Sequence, residues 1–401
     1  MSELIVPKEA LARVLDSATP LTPVAMPANE SLGRTLAKDI VSDRDYPPFN
    51  RAMMDGYAVR VADAGKSVLV DGEIAAGQTP DVSVRDGVAV GIMTGAPCPN
   101  GCEAVVQKEL VTVSGDRVTL PENIRSGYNI APRGTECEAS ATIIQQGSTV
   151  TPLHLALLAT FGQKQAQVIP AASVHIIVTG RELVAVGDEP GKAQIRNSNA
   201  PMIEGFVHAT GARCTGIRHA ADETDAIVRA LDEGSSADCV ITTGGVSAGN
   251  YDLVPEALER FGAETIFHGV EQRPGKPMLF ARRDSQLIFG LSGNPMACLV
   301  GYNRYVLPAL RSMMGMTPPS PTFTGNLVAP VAGRGSFTYY ATARATAGDQ
   351  RWDVQPISGK GSADMFSTAN ANALIHVPPG ANLQAGDNVT FQLFPGQDWL
   401  R

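Results

Sequence analysis

The chain has 401 residues, of which 44% are hydrophobic and 18% charged, and its formal net charge is −8. This length exceeds one ordinary hydrophobic core, so we expect two to four domains. No apolar run reaches the roughly 18 residues that a membrane span needs, and the acidic balance argues against nonspecific nucleic-acid binding. The N-terminus lacks the basic-then-apolar form of a signal peptide, so the expected location is the cytoplasm.

The first 170 residues combine helix and strand patterns. Apolar spacing predicts an amphipathic helix over residues 4–18, a second short helix over 28–37 and a third over 151–165. Between them, two prolines in the segment 46–49 break the pattern, and short glycine-punctuated β runs follow up to about residue 140. A small β domain inserted between helical segments explains the return of helix after it.

Residues 173–310 alternate apolar β-branched runs with helical spacing, which is typical of a parallel sheet covered on both faces. Strands are predicted over 174–178, 238–242 and 287–289. Helices are predicted over 200–208, 222–232 and 295–310. A proline-rich linker at 317–321 precedes a β-rich remainder with runs at 322–327, 338–345, 352–355, 374–377 and 388–393.

The predicted fold class is therefore multi-domain α/β plus β. A central doubly wound α/β domain with a mostly parallel sheet is joined by a helical stalk, an inserted small β domain and a C-terminal β domain. The predicted boundaries are 1–45 with 142–170 for the stalk, 46–141 for the inserted domain, 171–317 for the α/β domain and 318–401 for the C-terminal domain.

Three glycine loops follow strands of the predicted α/β domain. They are Thr179-Gly180, the run Thr242 to Ser247 with Gly244 and Gly245, and Ser292-Gly293-Asn294-Pro295. Glycine lets a backbone approach a ligand, and N–H groups and hydroxyls at strand ends can bind an oxyanion. A fourth loop, Arg273-Pro274-Gly275-Lys276-Pro277, adds two cations suited to phosphate or another oxyanion. These loops predict an anion site, although each one alone could be an ordinary turn.

Six segments, taken in order, resemble the molybdopterin molybdenumtransferases, the MoeA family, whose animal relative is the E domain of gephyrin. That family carries blocks like PPFxxSAMDGYA, MTGAPxPxGADAVV, STGDEL, GGVSxGxYD, KPGKP and GLPGNPVS. The corresponding segments here are 47–60, 93–106, 179–183, 244–252, 273–277 and 290–297. The match extends over essentially the whole chain.

The resemblance implies an enzyme that accepts adenylylated molybdopterin and molybdate, cleaves the adenylate, releases AMP and places molybdenum on the dithiolene. It also implies a divalent cation, Mg²⁺, a C-terminal β-barrel and an elongated homodimer whose cleft combines two subunits. The molybdopterin adenylyltransferase and molybdoenzymes are further candidate partners. We expect no nucleic-acid or membrane partner.

Roles carry over by motif position. The resemblance implies catalytic roles for Asp55, Glu182 and Asp252, with Asp55 and Glu182 also near the metal. It implies oxyanion contacts for Arg273, Lys276 and Ser292. The implied substrate-binding residues are Thr94, Thr179, Gly180, Asp238, Gly244, Gly245, Ser247, Gly293, Asn294 and Pro295. Carboxylates beside a phosphoanhydride repel it unless a cation lies between them, which is why Mg²⁺ is expected.

The chain departs from the family pattern around the implied oxyanion site. Arg181 stands where Asp is usual, Ser292 where Pro is usual, Ala297 where Ser is common, and Ala341 where an Arg is frequent. Two alternatives therefore stay open beside the enzyme: a paralogue that binds the pterin or a nucleotide without turnover or with altered specificity, such as for tungstate, and a gephyrin-like scaffold.

Overall fold

The computed structural model describes residues 4–246, 253–317 and 321–396. The chain forms two compact units: one comprises 26–32 and 38–166, and the other comprises the remaining residues. The predicted Ser247 and Asp252 lie outside the described residues. The boundaries between the four predicted domains stay a prediction.

The unit of residues 38–166 is built on a six-stranded mixed sheet. In spatial order its strands are Ala104–Gln107, Gly56–Val59, Val88–Ile92, Ser67–Ile74, Arg117–Thr119 and Thr112–Ser114. Alternate residues of one strand enter two different cores: Ala58 packs on one face of the sheet and Val59 on the other. This period of two is the one that the β runs of the sequence predicted.

Shorter elements complete this unit. They are the strand pairs Arg51–Ala52 with Ile130–Ala131 and Ile40–Val41 with Thr142–Ile144, the 3₁₀ turns Ala28–Glu30, Val61–Asp63 and Lys108–Leu110, and the helix Pro152–Thr160. The helix begins where the side chain of Thr151 accepts a hydrogen bond from the backbone N–H of His154. Gly162, with φ of +65°, follows the helix, so it ends before the predicted residue 165.

The helix predicted over residues 28–37 is wrong. A single 3₁₀ turn, Ala28–Glu30, is followed by Gly33 with φ of +75° and by the strand Thr35–Leu36. That strand pairs antiparallel with Val168 and Ile169 of the strand Gln165–Ile169. A left-handed residue stops a helix, and long-range pairing of Leu36 then decided the conformation. The strand Val24–Pro27 precedes this segment.

The second unit contains the predicted α/β sheet. Its spatial order is Arg213–Ala220, Ser173–Thr179, Cys239–Thr243, Gln286–Leu291, Leu279–Arg283 and Glu264–His268. The first four strands run parallel to one another, and Leu279–Arg283 pairs antiparallel with both of its neighbours, Gln286–Leu291 and Glu264–His268. The predicted, mostly parallel sheet is confirmed.

Helices cover both faces of this sheet. One core contains Ile176 and Ile241 with the helices Pro7–Ser17 and Asn199–Ala209 and the helical segment 295–313. The opposite core contains Ile177 and Val240 with the helices Thr224–Glu233 and Leu253–Phe261. Strands buried on both faces explain the continuous apolar runs in the sequence. The helical segment 295–313 comprises the α-helix Pro295–Gly301, the π-turn Tyr302–Val306 and the α-helix Leu307–Met313.

The strand order reverses beside Ser173–Thr179. From this strand the chain passes to Arg213–Ala220 on one side and then to Cys239–Thr243 on the other. The two connecting helices, Asn199–Ala209 and Thr224–Glu233, lie on opposite faces. A reversal of this kind leaves a crevice at the carboxyl ends of the two central strands, where ligands bind in open α/β sheets.

The C-terminal strands close into a five-stranded barrel, as the resemblance implied. In order around the barrel they are Thr338–Ala347, Trp352–Pro356, Phe323–Leu327, Asn388–Leu393 and Ala373–Val377, and the last pairs with the first. A short strand from the α/β domain, Gln272–Arg273, adds to Thr338 and Tyr339 in parallel. The remaining short pairs are Val331–Ala332 with Asn382–Leu383 and Leu183–Val184 with Ile195–Arg196.

In the described ranges, no helix combines the length and apolarity needed to cross a membrane.

Candidate functional site

A cavity of about 1140 Å³ lies at the carboxyl ends of the central strands, at the strand-order reversal. The residues predicted from the sequence that line it are Thr179, Gly180, Glu182, Gly244, Gly245, Ser292, Gly293, Asn294 and Pro295. The three glycine loops thus converge on one cavity. They do so because parallel strands end at the same edge of the sheet.

The loops pack closely because they contain glycine. Gly244 has φ of +92°, and a Cβ atom placed there would lie 2.6 Å from the carbonyl oxygen of Thr179. A Cβ atom on Gly293 would lie 3.6 Å from the Cα atom of Gly244. The backbone N–H of Gly244 donates to the carbonyl of Leu291 at 3.0 Å, which joins two of the loops. The cavity floor is therefore backbone, as an anion site requires.

Asn199 fixes the third loop from below. Its side chain is 7% exposed, and its Nδ2 donates to the carbonyl of Gly293 at 2.8 Å. Asn199 and its neighbours Asn197 and Ser198 also line the cavity, although the sequence analysis did not name them. The polar run directly before a helix is the signal that could have identified them.

Glu182 places a carboxylate at this cavity. The turn before it is held by Asp222, whose Oδ2 accepts from the backbone N–H of Arg181 at 3.0 Å and lies 3.9 Å from the Nε of Arg181. The Glu182 carboxylate folds back over Gly180, where an added Cβ atom would lie 2.9 Å from Oε1. Among the described residues it has no hydrogen-bond or ion-pair partner, so it is available to a ligand or cation. Asp222 was not predicted either.

One of the two predicted cations, Arg273, lies at a second, smaller cavity, and the other, Lys276, lies against the same aromatic ring as Arg273. Arg273 lines a cavity of about 250 Å³ together with Arg334, Tyr339 and Thr342 of the barrel region. The guanidinium of Arg273 and the ammonium of Lys276 each lie 5.7 Å from the ring centroid of Phe337. Both cations therefore approach the same aromatic ring at the junction of the α/β sheet and the barrel.

Gln272 positions this basic loop. It is fully buried, and its Nε2 donates to the carbonyls of Pro274 at 3.2 Å and Gly275 at 3.3 Å. Its Oε1 accepts a hydrogen bond from the hydroxyl of Tyr305. These buried side-chain bonds to loop carbonyls fix the backbone of the loop that carries Arg273 and Lys276.

Ser292 is separated from the predicted cation pair. It lines the large cavity, whereas Arg273 lines the small one. The single oxyanion site expected from Arg273, Lys276 and Ser292 is therefore divided by the structure. The chain turns into a helix immediately after Asn294, and this helix carries Met296 to the small cavity.

Ala341, which stands where the family frequently has an Arg, does not face the small cavity. Ala341 is buried in the barrel core with Ala343 and Ala345, because alternate residues of the strand share a face. Thr342, on the opposite face, is the neighbour that lines the small cavity. Arg344 shares that face and donates to the carbonyl of Asn370 at 3.4 Å.

Asp238 is not among the residues that line the cavity, and its predicted role in substrate binding stays a prediction. It precedes the strand Cys239–Thr243, whereas Gly244 follows it, so the length of the strand separates the two. Its Oδ2 accepts from the backbone N–H and the hydroxyl of Ser173 at 2.7 and 2.6 Å. Asp238 therefore ties together the amino ends of two parallel strands.

Asp55 lies in the other unit, where it precedes the strand Gly56–Val59 and lines a cavity of about 460 Å³. Its Oδ1 accepts from the backbone N–H and the hydroxyl of Thr94 at 2.8 and 2.7 Å, and its Oδ2 lies 3.5 Å from the ammonium of Lys108. The two Thr94 hydrogen bonds and Lys108 lower the pKa of Asp55. Gly56 is required next to it, because a Cβ atom there would lie 1.9 Å from the carbonyl oxygen of Val106. The Asp55 and Thr94 blocks are thus parts of one local site.

No group of three metal-ligating side chains occurs within the described parts of the chain. Mg²⁺ commonly binds through one or two carboxylates together with phosphate oxygens of the substrate. Glu182 supplies one such carboxylate at the large cavity. The predicted pairing of Glu182 with Asp55 around a cation stays a prediction.

Comparison with known proteins gives concordant matches along the chain. A family model described as the MoeA N-terminal region (domain I and II) matches residues 5–162. A probable molybdopterin binding domain matches residues 175–312, and the MoeA C-terminal region (domain IV) matches residues 324–394.

Curated relatives and a solved structure agree with these matches. The molybdopterin molybdenumtransferase of Staphylococcus aureus is 34% identical over 392 residues, which cover 95% of this chain and 94% of that protein. The protein of the same name from Staphylococcus epidermidis is 33% identical over the same coverage. The molybdopterin biosynthesis MoeA protein of Pyrococcus horikosii superposes with a TM-score of 0.87 at 27% identity, covering 98% of this chain and 99% of that one. The family resemblance is thereby confirmed: this chain belongs to the MoeA family of molybdopterin molybdenumtransferases.

Proposed function

We propose that this chain inserts molybdenum from molybdate into adenylylated molybdopterin, with cleavage of the adenylate and release of AMP. The observation that carries the proposal is the convergence of three glycine loops and the Glu182 carboxylate on one cavity. That arrangement suits a substrate with phosphate groups, and the family to which the chain belongs supplies the reaction.

The loops would bind the phosphoanhydride of the substrate. Gly244 and Gly293 leave this part of the cavity wall without side chains, so phosphate oxygens can approach the backbone closely. Asn199 would keep the Gly293 loop from shifting when the anion binds. Hydrolysis then breaks one P–O bond of the anhydride, a water oxygen joins phosphorus, and AMP leaves.

Glu182 would act on the attacking side of this reaction. Its carboxylate can accept a proton from water or hold a cation beside the phosphate. Mg²⁺, when bound, would offset the repulsion between carboxylate and phosphate oxygens. The described carboxylates at the large cavity are Glu182 and Asp222, and Asp222 already accepts from the backbone N–H of Arg181, so most of the remaining ligands would come from the substrate and water.

We further propose that Arg273 and Lys276 hold molybdate. Arg273 lines the small cavity and Lys276 lies against the same Phe337 ring, so two neighbouring cations suit a compact oxyanion, and charge-assisted hydrogen bonds contribute about 1.5–3 kcal/mol each. Lys276→Ala should therefore raise the molybdate concentration needed for insertion by more than about tenfold. Lys8→Ala, which removes an exposed lysine from the helix Pro7–Ser17, serves as control. An equal loss of affinity for AMP in Lys276→Ala would assign Lys276 to the nucleotide phosphate instead.

The direct test of the function is turnover by acid variants. Asp55→Asn and Glu182→Gln should each slow adenylate hydrolysis at least about tenfold, which equals about 1.4 kcal/mol of barrier. Asp81→Asn and Glu259→Gln remove exposed acids from the same two units and should not. Wild-type chain that binds AMP but shows no hydrolysis would favour the non-catalytic paralogue, and absence of both would favour a scaffold.

We also propose a cytoplasmic homodimer in which Asp55 of one subunit serves the cleft of the other. Light scattering should then give twice the single-chain mass of 42.1 kDa. Mixed dimers give the sharper test. When subunits of Asp55→Asn and Glu182→Gln exchange, one site of each mixed dimer carries neither change, so activity should return. No recovery in verified mixed dimers would contradict the shared site.

A further inference from the structure

Phe366 is exposed at a position where a ligand could cover it. Its side chain is 93% exposed, more than any other large apolar side chain within the described residues. It belongs to the loop between two barrel strands, Trp352–Pro356 and Ala373–Val377, and it lines the large cavity formed by the glycine loops. Exposure of a phenyl ring forgoes the free energy that burial would release. A ring kept exposed beside a candidate ligand cavity therefore suggests that a ligand buries it.

The loop that carries Phe366 is firmly built. The carboxylate of Asp364 accepts from the backbone N–H of Lys360 at 2.8 Å and from the backbone N–H and hydroxyl of Ser367 at 3.1 and 2.6 Å. These hydrogen bonds lower the pKa of Asp364 to about 2. The carboxylate therefore stays charged at neutral pH and closes the turn around Phe366.

The same loop is attached to the helix beside the glycine loops. The backbone N–H of Met296 donates to the carbonyl of Ser362 at 3.0 Å, and the hydroxyl of Thr368 contacts the Met296 sulfur at 3.6 Å. Met296 follows Asn294 and Pro295, which line the cavity. The loop backbone on both sides of Phe366 is therefore held at a set position with respect to the proposed phosphate-binding loops.

The rest of the cavity matches a ligand with two unlike ends. Its glycine loops suit phosphate, whereas Leu183, Ile195 and Met365 add apolar surface. Its volume of about 1140 Å³ exceeds what a phosphate group alone would occupy. A flat aromatic ring joined to phosphate fits both parts, because such rings stack on phenylalanine.

We propose that Phe366 is the stacking surface for the fused nitrogen heterocycle of the substrate, either its adenine or its pterin. The inference rests on the proposed function, which supplies a substrate that contains both rings and phosphate. Phe366 is then a specificity-determining residue, contributed to the α/β cavity by the barrel.

The test compares ligands with and without a ring. Calorimetric titrations of the full chain would use AMP, ribose 5-phosphate and neopterin. Phe366→Ala should weaken either AMP or neopterin about tenfold or more, whereas ribose 5-phosphate should bind as to the wild type. The ligand that is affected identifies the ring. Phe366→Trp should retain wild-type affinity, because indole also stacks.

Controls separate stacking from folding. Leu153→Ala removes another exposed apolar side chain, 77% exposed, and should change no affinity. Phe366→Ala should unfold at the wild-type denaturant midpoint, since its ring is exposed. Unchanged affinity for both AMP and neopterin would overturn the inference, as would equal weakening of AMP and ribose 5-phosphate or a wild-type chain that binds neither ring.

The outcome is independent of turnover. Ring-dependent binding by a chain that does not hydrolyse the adenylate would refute the proposed reaction and keep the role of Phe366. Hydrolysis at the wild-type rate and KM by Phe366→Ala would refute the role of Phe366 and keep the reaction.

Discussion

Replacing Gly244 with alanine should push the Gly244 loop and the Thr179 loop apart at the cavity floor and lower the free energy of unfolding. At φ of +92° an L-residue is strained, which costs about 1–3 kcal/mol. The new Cβ atom would lie 2.6 Å from the carbonyl oxygen and 2.8 Å from the hydroxyl oxygen of Thr179, whereas real Cβ atoms essentially never come within 3.0 Å. Thr179 ends a central, fully buried strand, so its backbone cannot move away freely. Overpacking of this kind costs a further 1–3 kcal/mol or so.

A matched control isolates the contact from the backbone strain. Gly262, in the same unit, has φ of +79°, and no atom lies within 4 Å of its hypothetical Cβ atom. Gly262→Ala should therefore show only the strain, about 1–3 kcal/mol, whereas Gly244→Ala should lose about 2–6 kcal/mol.

Urea unfolding followed by circular dichroism measures the free energies, and calorimetry with AMP measures the site. We expect Gly244→Ala to weaken AMP binding at least about tenfold, or about 1.4 kcal/mol, and Gly262→Ala to leave it unchanged. If the two variants lose the same stability and both bind AMP normally, the close approach of the Gly244 and Thr179 loops is not what shapes the site.

Three further predictions concern Gly234, His175 and Thr94. Gly234→Ala would place a Cβ atom 2.8 Å from the ring of His175 and should cost about 1–3 kcal/mol, and much of this cost should disappear in a His175→Ala background, as a double-mutant cycle in urea would show. Burial lowers the pKa of His175, so the folded state favours the neutral imidazole. The contribution of His175 to the free energy of unfolding is therefore complete above its ordinary pKa of about 6.5 and is lost as pH falls through the lowered value. His175→Gln should make the unfolding free energy decline less steeply below pH 6.5. Thr94→Val removes a hydroxyl donor and should raise the pKa of Asp55 toward its usual range in carboxyl-carbon NMR titrations, whereas an unchanged pKa would show that the backbone N–H of Thr94 alone holds the carboxylate.

Local patterns were sufficient where the chain repeats one environment. The apolar run before Thr179 predicted a strand buried on both faces, and the helical spacing over residues 200–208 predicted the helix that is present as Asn199–Ala209. The prediction of a helix over 28–37 was wrong, because apolar spacing alone reveals neither the left-handed conformation of Gly33 nor the strand pairing of Leu36.

The sequence by itself determined the family, the alternation of strands and helices and the glycine loops at strand ends. Each of these is written in neighbouring residues, through side-chain size, period and motif order. Only the tertiary structure decided which loops share a cavity. It places Ser292 and Arg273 at different cavities and Asp238 at the end of its strand opposite the large cavity. It also brings Phe366 of the barrel to the same cavity as Gly293, which precedes it by more than 70 residues. The physical reason is that strand order and barrel closure depend on contacts between distant segments, and the periodicity of one segment carries no information about which other segment it will meet.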